Sequence, residues 1–250
     1  MTGPDAGPGS WFRRHPAPDG RPARRLVCLP HAGGSAGLFH PWAGRLGPGV
    51  ELLAARYPGR QERIAEPCAQ SMPELADALT AALLPELDLP IALFGHSMGA
   101  SLAYEVALRL ERLHGVRPYG LYVSARRAPH LVRPKPVYLG GDRAIVEEVR
   151  RLGGTDAELL ADPDLYELVM PAIRADFRIV GTYHPQPGHP VHCPVAGYLG
   201  DGDPEVGPED LRGWSEVTAG GFELVVLPGD HFYLNWQRDA LVRDLAARLA

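Results

Sequence analysis

Apolar residues fall into two kinds of run along this chain. Short runs at Arg25 to Leu29, Glu51 to Ala55, Leu89 to Phe94, Leu121 to Ser124, Val195 to Leu199 and Phe222 to Leu227 suit strands buried in a sheet. Trp11-Phe12 predicts the start of an edge strand. Between these runs, apolar positions recur at helical spacing over Leu38 to Leu46, Ser71 to Leu84, Ala100 to Leu113 and Ala240 to Leu249. The helix after Ser71 opens with a serine cap and with Glu74 three residues on. Strands alternate with helices and no internal repeat is visible. The pattern predicts one α/β domain with a mainly parallel sheet covered on both faces.

From about Arg126 to Pro190 the alternation stops. Helical pieces at Arg143 to Leu152, Asp156 to Leu160 and Leu165 to Arg178 lie between Pro- and Gly-containing breaks, with no convincing strand. An interruption of this kind predicts a helical lid, about 126–190, over the active-site end of the sheet. Leu159, Leu160, Leu168, Val169 and Ile173 are too many apolar positions for a solvated linker. The first ten residues, MTGPDAGPGS, have too little apolar content to order themselves and predict a disordered tail over 1–10.

Composition narrows the function classes. A net charge of −5 and a pI near 6.1, with no basic block, suggest neither nucleic acid nor an anionic membrane as partner. No apolar run approaches a membrane span, and the N-terminus has no apolar signal segment, so a cytoplasmic location is expected; a monomer is expected separately. Cys28, Cys68 and Cys193 are widely spaced without a CxxC pair and read as packing residues rather than a disulfide framework or zinc site.

Candidate chemistry centres on FGHSMGA, residues 94 to 100. A sharp strand-to-helix turn needs small residues two before and two after the turning residue, and Gly95 and Gly99 flank Ser97 in that way. Such an elbow lifts a nucleophilic hydroxyl above the sheet edge. A serine so placed needs an imidazole base oriented by a carboxylate, both on loops after later strands. YLGDGDPEV offers Asp201 and Asp203, and LPGDHFYL offers Asp230 and His231. Pro204 can fix the turn after Asp203, which favours it over Asp201, while Asp230 reads as exposed. His231 alone among the histidines follows a late strand. His31 falls where it would line the site, His96 is held within the elbow, and His184, His189 and His192 lack the spacing of a metal motif. Oxyanion donors are expected from the backbone N–H of Met98, after the nucleophile, and of Ala32 in the PHAGG loop.

With CLPHAGGSAG, YPGRQER, FGHSMGA, SARRAP, GDGDP and GDHFYL in order, nearly all of residues 11 to 250 resembles a type II thioesterase, the lid least. This is the free-standing α/β hydrolase that accompanies polyketide and nonribosomal peptide synthetases. The resemblance implies an α/β-hydrolase fold with Ser97, Asp203 and His231 as triad and Ala32 and Met98 as oxyanion donors. It further implies hydrolysis of unwanted acyl groups from the phosphopantetheine arm of acyl or peptidyl carrier protein domains, with no metal or bound cofactor. Hydrolases of acyl-CoA or small esters, and thioesterases that release a finished product, share the constellation and are the alternatives within the fold. A catalytically silent binding module is the alternative from another class.

Overall fold

The computed structural model describes residues 10–153, 162–185 and 190–250. Seven strands form one sheet: β1 (Phe12–His15), β2 (Arg24–Leu29), β3 (Val50–Ala55), β4 (Ile91–His96), β5 (Gly120–Ser124), β6 (Val195–Gly200) and β7 (Phe222–Leu227). Their spatial order is β1-β3-β2-β4-β5-β6-β7, and only β1 is antiparallel to its neighbour. Each of the six predicted strand runs, and the edge strand at Phe12, is present.

Successive strand residues point to opposite faces, and the two faces fill with different helices. Val27, Leu29, Leu53, Leu93 and Val123 pack with α1 (Met72–Leu83) and α2 (Met98–His114). Leu26, Cys28, Leu52, Phe94 and Tyr198 pack on the other side with Phe39, Trp42 and α6 (Arg238–Leu249). Both faces are covered, which explains why the central strands read as unbroken apolar runs instead of alternating ones. Together with the strand order, this is the α/β-hydrolase arrangement expected from the sequence.

Between β5 and β6 lie α3 (Gly141–Arg151) and α4 (Pro163–Thr182), with no strand among the described residues of that stretch. Ile145 of α3 and Met170, Ile173 and Phe177 of α4 make a small core of their own. The helical piece expected over Asp156 to Leu160 lies outside the described residues, as do nine of the ten residues of the expected tail.

Two local expectations are corrected. Leu38 to Leu46 does not form a regular helix: a 3-10 segment, Ala36–Trp42, contains Pro41, which has no N–H to donate, and Gly44 and Gly47 then turn the chain with positive φ. A short helix absent from the sequence reading, α5 (Pro208–Arg212), follows β6. All three cysteines are free, Cys28 and Cys193 buried and Cys68 half-buried.

Candidate active site

The elbow is built from backbone constraint. β4 ends at His96, α2 begins at Met98, and Ser97 between them sits at φ 54°, ψ −115°. A non-glycine residue at positive φ costs on the order of 1–3 kcal/mol, and the surrounding packing must hold it. Here a Cβ on Gly95 would stand 2.0 Å from Gly99 O, and one on Gly99 would stand 2.1 Å from Leu29 O. Both glycines are therefore required by contact. The Ser97 N–H donates to Ser124 O at 2.8 Å, tying the turn to β5.

Two late loops bring the expected partners to Ser97. His231, after β7, has Nε2 3.1 Å from Ser97 Oγ and Nδ1 2.8 Å from Asp203 Oδ2. The Asp203 side chain is fully buried, and its Oδ1 accepts the N–H groups of Glu205 at 2.8 Å and Val206 at 3.2 Å. The carboxylate is thus held from one side by its own turn and offers the other oxygen to the imidazole. Asp201 is exposed and accepts the Gly229 N–H at 2.9 Å instead, steadying the turn after β7. Asp230 is half-buried, not exposed as the sequence reading has it, because it accepts the Phe232 N–H at 2.8 Å.

Ala32, on the turn after β2, lines the same cavity as Ser97 and His231. Met98 opens α2, so its N–H belongs to the first turn, where backbone donors have no partner within the helix. Much of the apolar wall of the cavity comes from the segment between β5 and β6, with Val137, Val149, Ile173, Phe177 and Val180, and Val206 and Phe232 add to it from the late loops. Of the lid positions singled out in the sequence, Ile173 lines the cavity, Val169 packs against the α3–α4 core and Leu168 is exposed. Leu159 and Leu160 lie outside the described residues.

Two further histidines stand beside the nucleophile, and His31 lines the cavity as its place in the sequence suggests. His31 and His96 are buried, with ring centroids 5.7 Å apart, and the His96 ring lies 5.3 Å from that of His231. Burial, reinforced by the charges of His231 and Arg60, pushes the His31 ring down to about 3. Burial, then His231 and His31, also holds the His96 ring well below its ordinary range. Both are neutral at neutral pH. The His96 ring meets Ser124 Oγ at 2.8 Å, which in turn meets the Tyr233 hydroxyl at 2.7 Å, fixing the elbow from below. Of the remaining histidines, His192 faces Glu111 at 2.8 Å on the surface, and His189 lies outside the described residues. Among the described residues no cluster of His, Cys, Asp or Glu is placed to hold a metal ion.

One pair of side chains at the site was not singled out from the sequence. Asp176 of α4, 2% exposed, accepts both Nη atoms of Arg60 at 2.6 and 2.8 Å, and also the Gly33 N–H at 2.8 Å. A signal was present: Asp176 follows Ile173 by one helical turn, so a charge sits on the apolar stripe of its helix.

Comparison with known proteins agrees with this architecture. The thioesterase domain family matches residues 24–249. The chain is 48% identical to thioesterase PikA5 of Streptomyces venezuelae over 243 residues, covering 96% of this chain and 86% of that protein. It is 44% identical to the solved type II thioesterase BorB from the borrelidin biosynthetic cluster, with a TM-score of 0.88 and coverage of 98% and 100% of the two chains. The solved RedJ thioesterase, from the prodiginine pathway of Streptomyces coelicolor, is 39% identical with a TM-score of 0.86, covering 93% of this chain and 88% of its own.

Proposed function

The chain belongs to the thioesterase domain family, and we propose from that premise that it hydrolyses acyl thioesters on the phosphopantetheine arm of carrier proteins, with Ser97, His231 and Asp203 as triad. One observation carries the reading: an unbroken hydrogen-bonded chain, 3.1 Å from Ser97 to His231 and 2.8 Å from His231 to Asp203, on a cavity lined by both apolar and charged side chains.

In this reading the acyl group lies against Ile173 and Phe177. His231 Nε2 takes the proton as Ser97 Oγ attacks the thioester carbonyl. Asp203, accepting from the Nδ1–H, fixes the tautomer that leaves Nε2 free and steadies the imidazolium that forms. Charge developing on the carbonyl oxygen is met by the N–H groups of Ala32 and Met98, backbone donors of the kind that stabilise an oxyanion with little reorganisation. His231 then gives its proton to the departing pantetheine thiol, leaving an acyl-Ser97 ester. Water enters, His231 takes its proton, and the acid leaves as Ser97 regains its hydrogen. These steps use groups of the chain and the arm that arrives with the substrate.

The biological role we infer is editing, the removal of aberrant acyl groups that stall a polyketide or nonribosomal peptide synthase. Its support is the similarity to BorB, a type II thioesterase named for a biosynthetic cluster, over the whole of that chain. The test is a panel of acylated carrier proteins beside the matching acyl-pantetheines, acyl-CoAs and oxygen esters. Editing predicts that the carrier-bound thioesters give the highest kcat/KM, across several short acyl groups. A preference for oxygen esters, or for a single full-length product, would contradict it.

A further inference from the structure

The turn carrying Ala32 is held from both sides by a side-chain clasp. Before Ala32, Pro30 O accepts the Tyr57 hydroxyl at 3.1 Å. After it, the Gly33 N–H donates to Asp176 Oδ2 at 2.8 Å and Gly34 O accepts Arg60 Nη1 at 3.1 Å. Arg60 joins the two flanks, pairing with both carboxylate oxygens of Asp176 while its guanidinium lies 5.3 Å from the centre of the Tyr57 ring. Contact between the turn and α4 is direct, since a Cβ on Gly33 would stand 3.1 Å from Ile173 Cγ1.

A buried ion pair is a poor way to gain stability, because desolvating both charges offsets most of their attraction and an apolar pair of similar volume often serves as well. What apolar residues cannot do is accept the Gly33 N–H and donate to Gly34 O. We propose that Asp176, held by Arg60, is a positioning residue for the oxyanion hole, fixing the Ala32–Gly33 peptide that follows the Ala32 N–H. Asp176 lies between Ile173 and Phe177, which line the acyl cavity, so the same clasp joins the cavity wall to the oxyanion donor. The inference rests on the reading that the Ala32 N–H meets the oxyanion.

The test compares two variants that both lack the charges. Arg60→Met with Asp176→Asn keeps an acceptor for the Gly33 N–H, whereas Arg60→Met with Asp176→Leu removes it. Three probes separate the effects: octanoyl-pantetheine as substrate, S-octyl-pantetheine as an occupant that lacks the thioester carbonyl, and an octyl trifluoromethyl ketone that forms an anionic hemiketal with the serine. Loss of a whole oxyanion donor costs roughly 10²–10³ in kcat, so loosening one predicts a kcat about 10- to 100-fold lower in the leucine variant than in the asparagine variant. KM and thioether affinity should match in the two, and ketone affinity should fall in step with kcat. Equal kcat and equal ketone affinity would overturn the proposal and leave the clasp a stabilising contact. Should the leucine variant not fold, Asp176→Ser, too short to reach Gly33, takes its place. A wild-type protein that neither cleaves the thioester nor binds the ketone would overturn the underlying reading of Ser97, a result distinct from any difference between the variants.

Discussion

Asp201 and Asp203 stand two residues apart on one loop, and burial separates their roles. Asp203 is withdrawn from water with each oxygen engaged, one by backbone N–H groups and one by His231. Replacing it with Asn keeps the shape but presents the wrong hydrogen to Nδ1, so Asp203→Asn should lower thioester turnover by up to roughly 10⁴-fold. Asp201→Asn should lower it by far less, since that residue supports only a turn; the ranking of the two kcat values decides. At the same scale, His31 should make stability depend on pH. Its ring stays neutral in the folded protein down to about 3, whereas in the unfolded chain it gains a proton below its ordinary value of 6.5. The unfolded state therefore binds more protons in that window. Stability is fully present above 6.5 and falls as pH drops toward 3, at about 1.4 kcal/mol per pH unit for each such histidine. Urea unfolding between pH 7.5 and 4.5 should show this slope, and His31→Gln should flatten it. An unchanged slope in the variant would mean that other groups carry the acid sensitivity.

Among the elements, α3 and α4 are fastened to the sheet domain in different ways, although the sequence reading placed both in one lid. α4 is pinned by the buried Arg60–Asp176 pair. α3 rests on α4 through Ile145 and the Asp142–Arg174 pair. It is tied to the loop of Asp203 through Arg151, which pairs with Glu148 at 2.7 Å and with Glu205 at 2.6 Å, while Lys135, ahead of the helix, pairs with Glu205 and stands 4.0 Å from Glu148. The two cations there are well exposed, and exposed pairs contribute about 0–1 kcal/mol each and weaken in salt. If part of the cover opens to admit the pantetheine arm, it is α3 with its flanking turns, while α4 stays docked. Amide exchange should accordingly be faster in α3 than in the Ile173–Ile179 part of α4, faster still at 0.5 M salt, and slowed by a nonhydrolysable acyl-carrier mimic. Equal protection in the two helices with and without the mimic would make the whole segment a fixed layer.

At the scale of the whole molecule, what was legible in the sequence is what local pattern encodes. Unbroken apolar runs such as Leu121 to Ser124 reveal strands because the sheet is covered on both faces, and the strand-end rule leads from Ser97 to the loops of Asp203 and His231 because each follows its strand directly. The 3-10 turn at Pro41 was misread because Leu38 to Leu46 keeps helical spacing while one missing N–H decides the outcome. The pairing of Arg60, in the YPGRQER motif, with Asp176 was missed for another reason: 116 residues separate them, and no period links a charge in a loop to a charge on a distant helix. The central claim, that the fold serves to pass an acyl group through Ser97, is tested most directly by rapid-quench mixing with an acylated carrier protein, followed by mass analysis of the peptide containing residue 97. The account predicts an acyl adduct on Ser97 that forms and decays fast enough to account for turnover, with Ser97→Ala leaving the carrier acylated. Release of the acyl group without that adduct, or at an undiminished rate in Ser97→Ala, would contradict it.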